Sequence, residues 1–287
     1  MQHTVTSQDQ FLRFKRSIVK ISSLGVLLIT LAACQGSSAY NSTPFDKSVG
    51  SSANIESLTQ VIEANPSDPA AYNTRGIAYG QAGKLEDALQ DFGVALQLDP
   101  NSYQTYANRA LVYRRMGQLQ PAISDYTRAI NIKNDYYPAY VGRGNVYRQT
   151  GQLDQALQDF NRAIAGDSSD ARAYHNRGLI YQSQRQHARA IENFATAIGL
   201  NPHAEEPYTA RGISYLAIND PNAAFADLSM AVNLDRKSAI AWANRGLALE
   251  LLGKPKDARR NYSKAQVLDA SNSIAREGLG RIDKGKF

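Results

Sequence analysis

The chain has 287 residues, 43% of them hydrophobic and 20% charged, a composition that can fold, though not necessarily around one core. Its net charge is +6, but four basic groups (Arg13, Lys15, Arg16, Lys20) and only Asp9 among acids belong to the first 33 residues, leaving 28 basic against 25 acidic residues in the rest. Basic residues spread among acids make a solvated mixed surface and exclude a clustered nucleic-acid footprint.

The first element combines a basic start, "FLRFKRSIVK", with an apolar run, "ISSLGVLLITLAAC", and reads as a secretory signal. From Ile21 to Ala33 a helix would span about 20 Å, short of the roughly 30 Å of a bilayer core. Cys34, the one cysteine, directly follows "LAA". A buried free cysteine in an ordinary helix is the plain alternative. The conjunction of basic start, apolar run and small residues instead resembles the lipobox of bacterial lipoproteins. That resemblance implies cleavage after residue 33, a lipid on Cys34 and stable membrane attachment through several acyl chains. Gln35 stands where the family's inner-membrane retention signal places Asp, which favours an outer-membrane lipoprotein facing the periplasm. With a single cysteine no intramolecular disulfide can form. Residues 34–53, rich in Ser, Gly and Asn, read as a flexible tether of about 25 Å root-mean-square span.

From residue 54 onward one pattern recurs every 34 residues. Numbering each unit from 1 to 34, the units start at Pro69, Tyr103, Tyr137, Ala171, Glu205 and Ala239. Position 20 is alanine in all six (Ala88, Ala122, Ala156, Ala190, Ala224, Ala258), as is position 27 (Ala95, Ala129, Ala163, Ala197, Ala231, Ala265). Position 4 is Tyr or Trp, position 8 is Gly except for Ala110, and position 11 is Tyr except for Leu249. Position 24 is large and apolar. Positions 4, 7, 8 and 11 and positions 20, 24 and 27 each follow helical spacing, giving two amphipathic helices per unit. Neither can hide its stripe alone, so neighbours must stack.

The pattern resembles the tetratricopeptide repeat (TPR) signature, W-x2-L-G-x2-Y followed by Ala, Phe/Tyr, Ala and Pro. The resemblance implies an all-α fold, a right-handed α-solenoid of helical hairpins. A half repeat at 54–68 precedes six repeats at 69–272, with Leu58 and Val61 at positions 24 and 27. A capping helix at 273–287 presents Ala275, Leu279 and Ile282 inward and Arg276, Arg281, Lys284 and Lys286 to water. Turn glycines separate the helices, Pro221 and Pro255 suit a first helical turn, and Arg185 in a glycine's place predicts a strained or reshaped turn.

Position 7, inside the apolar stripe, is arginine in every unit: Arg75, Arg109, Arg143, Arg177, Arg211 and Arg245. Position 23 is Asp or Asn throughout. Each arginine is therefore expected to lay its stem over the core and bond an acceptor in its own or an adjacent unit. A row of ligand-binding arginines is the competing reading.

TPR stacks bind on their concave face, which by resemblance is lined by positions 2, 5, 9, 12 and 13. Position 9 gives an apolar seam including Leu111, Leu179 and Ile213, broken by Asn145. Beside it lie Arg114, Arg115, Arg148 and His175. This set is expected to form a groove for an extended or helical peptide. The alternative is a solvated inner surface packed for stability. The Lys/Asn clamp of chaperone-binding TPR proteins is missing from position 5. Scattered histidines and the lack of a phosphate loop or nucleophile motif give catalysis little support, and no cofactor or metal is expected. In layout the chain resembles bacterial TPR lipoproteins, of the NlpI type or the pilotins. It is expected to be an envelope adaptor, with a pilus-assembly pilotin or a cytoplasmic co-chaperone as alternatives.

Overall fold

A computed structural model describes residues 50–285 of the chain. The signal segment, Cys34, most of the tether and Lys286 lie outside the described residues. Those described contain fourteen α-helices and no strand, and all belong to one compact unit, Ser37–Phe287. A single helix, α1 (Ser52–Ala64), is followed by six hairpins: α2 (Pro69–Gln81) with α3 (Leu85–Leu98), α4 (Tyr103–Arg115) with α5 (Leu119–Ile132), α6 (Tyr137–Gln149) with α7 (Leu153–Gly166), α8 (Ala171–Ser183) with α9 (His187–Leu200), α10 (Glu205–Ala217) with α11 (Pro221–Leu234), and α12 (Ala239–Leu251) with α13 (Pro255–Leu268). Helix α14 (Ser273–Asp283) closes the series.

Short polar residues start several first helices. Asp68 and Asp170 accept from the backbone N–H groups of Ala70 and Arg172, both at 2.9 Å, which satisfies donors that a helix start leaves without partners. Each hairpin turns through one residue of positive φ. It is glycine in four units, but Arg185 (φ 59°) and Asn219 (φ 61°) elsewhere. Arg185 keeps the turn hydrogen bonds made at Gly151, so that turn is strained rather than reshaped, at a cost of about 1–2 kcal/mol. Pro221 and Pro255 occupy the first turn of α11 and α13, where a missing N–H is harmless.

Packing follows the stripes. The alanines at positions 20 and 27 are fully buried in all six units, and the position-24 side chains lie over them. Close approach at position 8 requires glycine: in five units a Cβ there would stand 2.6–2.9 Å from the position-24 side chain of the same hairpin. The second unit is the exception. Its position 8 is Ala110, and the ring of Tyr126 lies over Gly142 of the next hairpin, where a Cβ would meet the hydroxyl oxygen at 2.7 Å. Tyr262, the other tyrosine at position 24, likewise crosses a glycine in the following helix, Gly278.

The arginine row is structural. Arg75, Arg109, Arg143 and Arg211 each donate two hydrogen bonds of 2.7–2.9 Å to the position-23 aspartate of their own hairpin. Arg177 and Arg245 donate instead to Asn193 (2.8 Å) and Asn261 (2.7 Å). Arg75, Arg143 and Arg177 also reach back to Thr59, Thr127 and Asn161 in the preceding unit, tying neighbours together. Aromatics flank the guanidinium: Arg143 lies 5.8 and 5.7 Å from the ring centroids of Tyr140 and Tyr147. For Arg143, burial opposes the charge, but Asp159 outweighs it and raises the pKa. A permanent charge is tolerated in the stripe because its hydrogen bonds and its counter-charge are supplied inside the same hairpin.

The ends depart from expectation in two places. Val61, at position 27 of the leading half unit, is 49% exposed while Ile62 is buried, because α1 has no first helix of its own to cover that side. In α14, Ala275 is buried and Leu279 and Ile282 pack on the last hairpin, but Arg281 does not face away. It turns back and makes a two-pronged ion pair with Glu250, at 2.7 and 2.9 Å.

Candidate functional site

Successive first helices pack against one another, α2 on α4 and so on to α12, more closely than successive second helices do. The first helices therefore form the inner side of the stack. Hydrogen bonds across their seams show which positions face each other. Asn108 Nδ2 donates to Asn73 Oδ1 (3.1 Å). Arg115 reaches the Gly80 carbonyl (2.9 Å). Gln182 donates to both the Ala210 carbonyl and Ser214 Oγ (2.8 Å each).

Leu111, Leu179 and Ile213 are half-buried on this side, in line with Ile77 and Leu247. Between α2 and α4 the seam opens into a cleft of about 160 Å³ lined by Gly76, Ile77, Gly80, Leu111 and Arg115 among others. Gly80, at position 12, helps to leave this space open, since a Cβ there would meet the Val112 side chain of α4 at 3.4 Å. Arg114 bonds the Tyr126 hydroxyl, whose pKa burial raises and Arg114 lowers, with burial the larger effect. Arg115 is held below the usual guanidinium range by burial and by its neighbour Arg114.

Two expected groove residues are not on an open surface. Asn145 and His175 are each only 4% exposed. Position 5 is buried in every unit after the first, since the stack brings it into the seam between adjacent first helices. His175 sits against the Phe194 ring, centroids 5.6 Å apart. Burial first and the nearby Arg148 second push its pKa down to about 3, so it is a neutral packed ring at physiological pH. The buried Asn145 Oδ1 receives no hydrogen bond.

Sequence reasoning missed Arg172, which is ion-paired with Asp170 at 2.6 Å and close enough to Tyr126 to influence it. It also missed the buried hydroxyls of Tyr126 and Tyr262, which reach Arg114 and Glu250 at position 12 of the inner helices. The available signal was tyrosine at position 24 paired with glycine at position 6 of the next unit.

Models of the tetratricopeptide repeat match residues 69–102, 103–136, 144–185, 171–204 and 209–273. The chain is built of tetratricopeptide repeats. Among solved structures, the TPR stack is similar to a chain of the APC/C hetero-tetramer Cut9–Hcn1, at 19% identity and a TM-score of 0.72, covering 82% of this chain and 47% of that one. It is also similar to PilF of Pseudomonas aeruginosa, at 18% identity and a TM-score of 0.69, covering 74% of this chain and 97% of that one. PilW, described as a widely conserved type IV pilus biogenesis factor, matches at 15% identity and a TM-score of 0.66, over 74% and 98%. At these identities the likeness is one of fold. No curated protein matches the chain in sequence.

Proposed function

We propose that this TPR chain is a non-catalytic adaptor, anchored by lipid on Cys34 at the bacterial outer membrane and facing the periplasm, that holds a protein or peptide partner along the inner side of its stack. The observation that carries this reading is the line of half-buried apolar side chains at position 9, Ile77, Leu111, Leu179, Ile213 and Leu247, which runs across five hairpins on the inner face. Such a seam gives anchoring pockets to an extended or helical segment. The lipobox-like run before Cys34 supports the envelope location.

A pilotin-type role in pilus or secretion-system assembly is the second reading, favoured by the fold likeness to PilF and PilW. Photo-crosslinking from Leu179 and Ile213 in intact cells, followed by mass spectrometry, tests the groove and separates the two roles. Pilus or secretion subunits among the products favour the second, and envelope enzymes the first. No crosslinked product from either position would overturn both. Fractionation of wild type against Cys34→Ser tests the anchor, which predicts loss of membrane association in the variant.

A further inference from the structure

The six inner helices divide by charge once the arginine row, satisfied within each hairpin, is set aside. In α2, α4, α6 and α8 there is no acidic residue, while Arg114, Arg115 and Arg148 add three positive charges; Arg172 is paired with Asp170 at the start of α8. In α10 and α12 the added charges are instead Glu205, Glu206 and Glu250, of which Glu250 is paired with Arg281 of α14. Apolar exposure follows the same division. Ile218 (50%), Ile240 (37%) and Leu251 (51%) are exposed at the α10–α12 end of the inner helices, together with half-buried Leu216.

Position 12 shows how the polarity is built. In the second unit it is Arg114, bonded to the Tyr126 hydroxyl; in the sixth it is Glu250, which accepts from the Tyr262 hydroxyl at 2.6 Å and from Arg281. The same tyrosine device thus fixes a cation near one end of the groove and a carboxylate, neutralised by Arg281, near the other. Around Arg115, burial and the adjacent Arg114 make the local environment costly for cations, so an incoming carboxylate gains more there than at a solvated surface.

We infer that the groove takes a partner segment of matching polarity, with carboxylates (Asp, Glu) lying over α4–α8 and apolar side chains over α10–α12. This rests on the groove reading above and specifies its ligand. Packed helices stand about 8–10 Å apart, so the four steps from α4 to α12 span about 36 Å, which about eleven extended residues cover.

The test uses the full-length protein and three fluorescently labelled synthetic 14-residue peptides: one with four Asp/Glu at one end and four Leu/Ile at the other, its Asn/Gln counterpart, and its Lys counterpart. Binding is followed by anisotropy at low and high salt. The acidic peptide is expected to bind about tenfold more tightly than the amide peptide, a difference reduced by salt, and the Lys peptide not to bind. Arg115→Gln and Arg148→Gln should each weaken the acidic peptide several-fold and reduce its salt dependence, with Arg148→Lys restoring it. Leu251→Gln should weaken all binding without changing the salt response. Equal binding of Lys and acidic peptides, or affinity unmoved by either arginine variant in a protein of unchanged helicity, overturns the inference. A partner crosslinked from Leu179 whose binding ignores both salt and Arg148→Gln overturns the charge assignment alone and leaves the groove standing. Without any groove crosslink, both readings fall.

Discussion

Tyr126 crosses the backbone of the next hairpin where Gly142 leaves space for it, and a Cβ on Gly142 would stand 2.7 Å from the tyrosine hydroxyl oxygen. The relationship couples two hairpins through one missing methyl group. With Ala110 at position 8, the ring of this unit lies over the following helix, and its hydroxyl meets Arg114 on the inner side.

Replacing Gly142 by alanine should therefore overpack this junction and destabilise the stack by about 1–3 kcal/mol, despite alanine's better helix propensity. Chemical unfolding monitored by circular dichroism measures the loss. Combining it with Tyr126→Leu should cost clearly less than the sum of the single changes, because the smaller side chain vacates the space. Additive losses would show that ring and glycine do not compete for it.

The arginine row makes a graded prediction. Arg143→Leu strands Asp159, whose side chain is only 6% exposed, and should cost about 3 kcal/mol. Arg177→Leu leaves the neutral Asn193 amide and should cost about 1–2 kcal/mol. Adding Asp159→Leu to the first variant should recover much of its stability. If Arg143→Leu unfolds like wild type yet loses a bound partner, the row serves a ligand instead.

His175 ties stability to pH. Its folded pKa of about 3 lies below the unfolded value near 6.5, so between them the unfolded chain binds the extra proton. Stability from this residue is complete above about pH 6.5 and falls as the pH drops toward about 3, by up to roughly 1.4 kcal/mol per unit. At pH 5 the deficit relative to pH 7 is about 2 kcal/mol. His175→Gln should flatten the change in melting temperature between pH 7 and pH 5, and equal pH dependence in both proteins would contradict the burial.

At the C-terminal end, Arg281→Met removes the partner of Glu250, whose side chain is 9% exposed, and should loosen α14 and the last hairpin by about 2 kcal/mol. Hydrogen exchange should accelerate in α12–α14 and remain unchanged in α2–α7. Glu250→Gln should restore much of the protection, since no stranded charge then remains beside Tyr262.

The sequence by itself determined the helices, their 34-residue pairing and that each arginine of the row would find an Asp or Asn acceptor at position 23, leaving open whether in its own or an adjacent unit. All three follow from periodicity: spacings of 3 and 4 define the stripes, and Arg143 and Asp159, sixteen residues apart, meet whenever the two stripes face each other. Tertiary structure decided what lies between hairpins. Asn145 and His175 read as groove residues until stacking carried them into the seams, where exposure depends on how far adjacent first helices approach. Arg281 read as solvated until Glu250, 31 residues away, proved to be within reach. Those distances are set by the superposition of whole repeats, a property that no single stripe records.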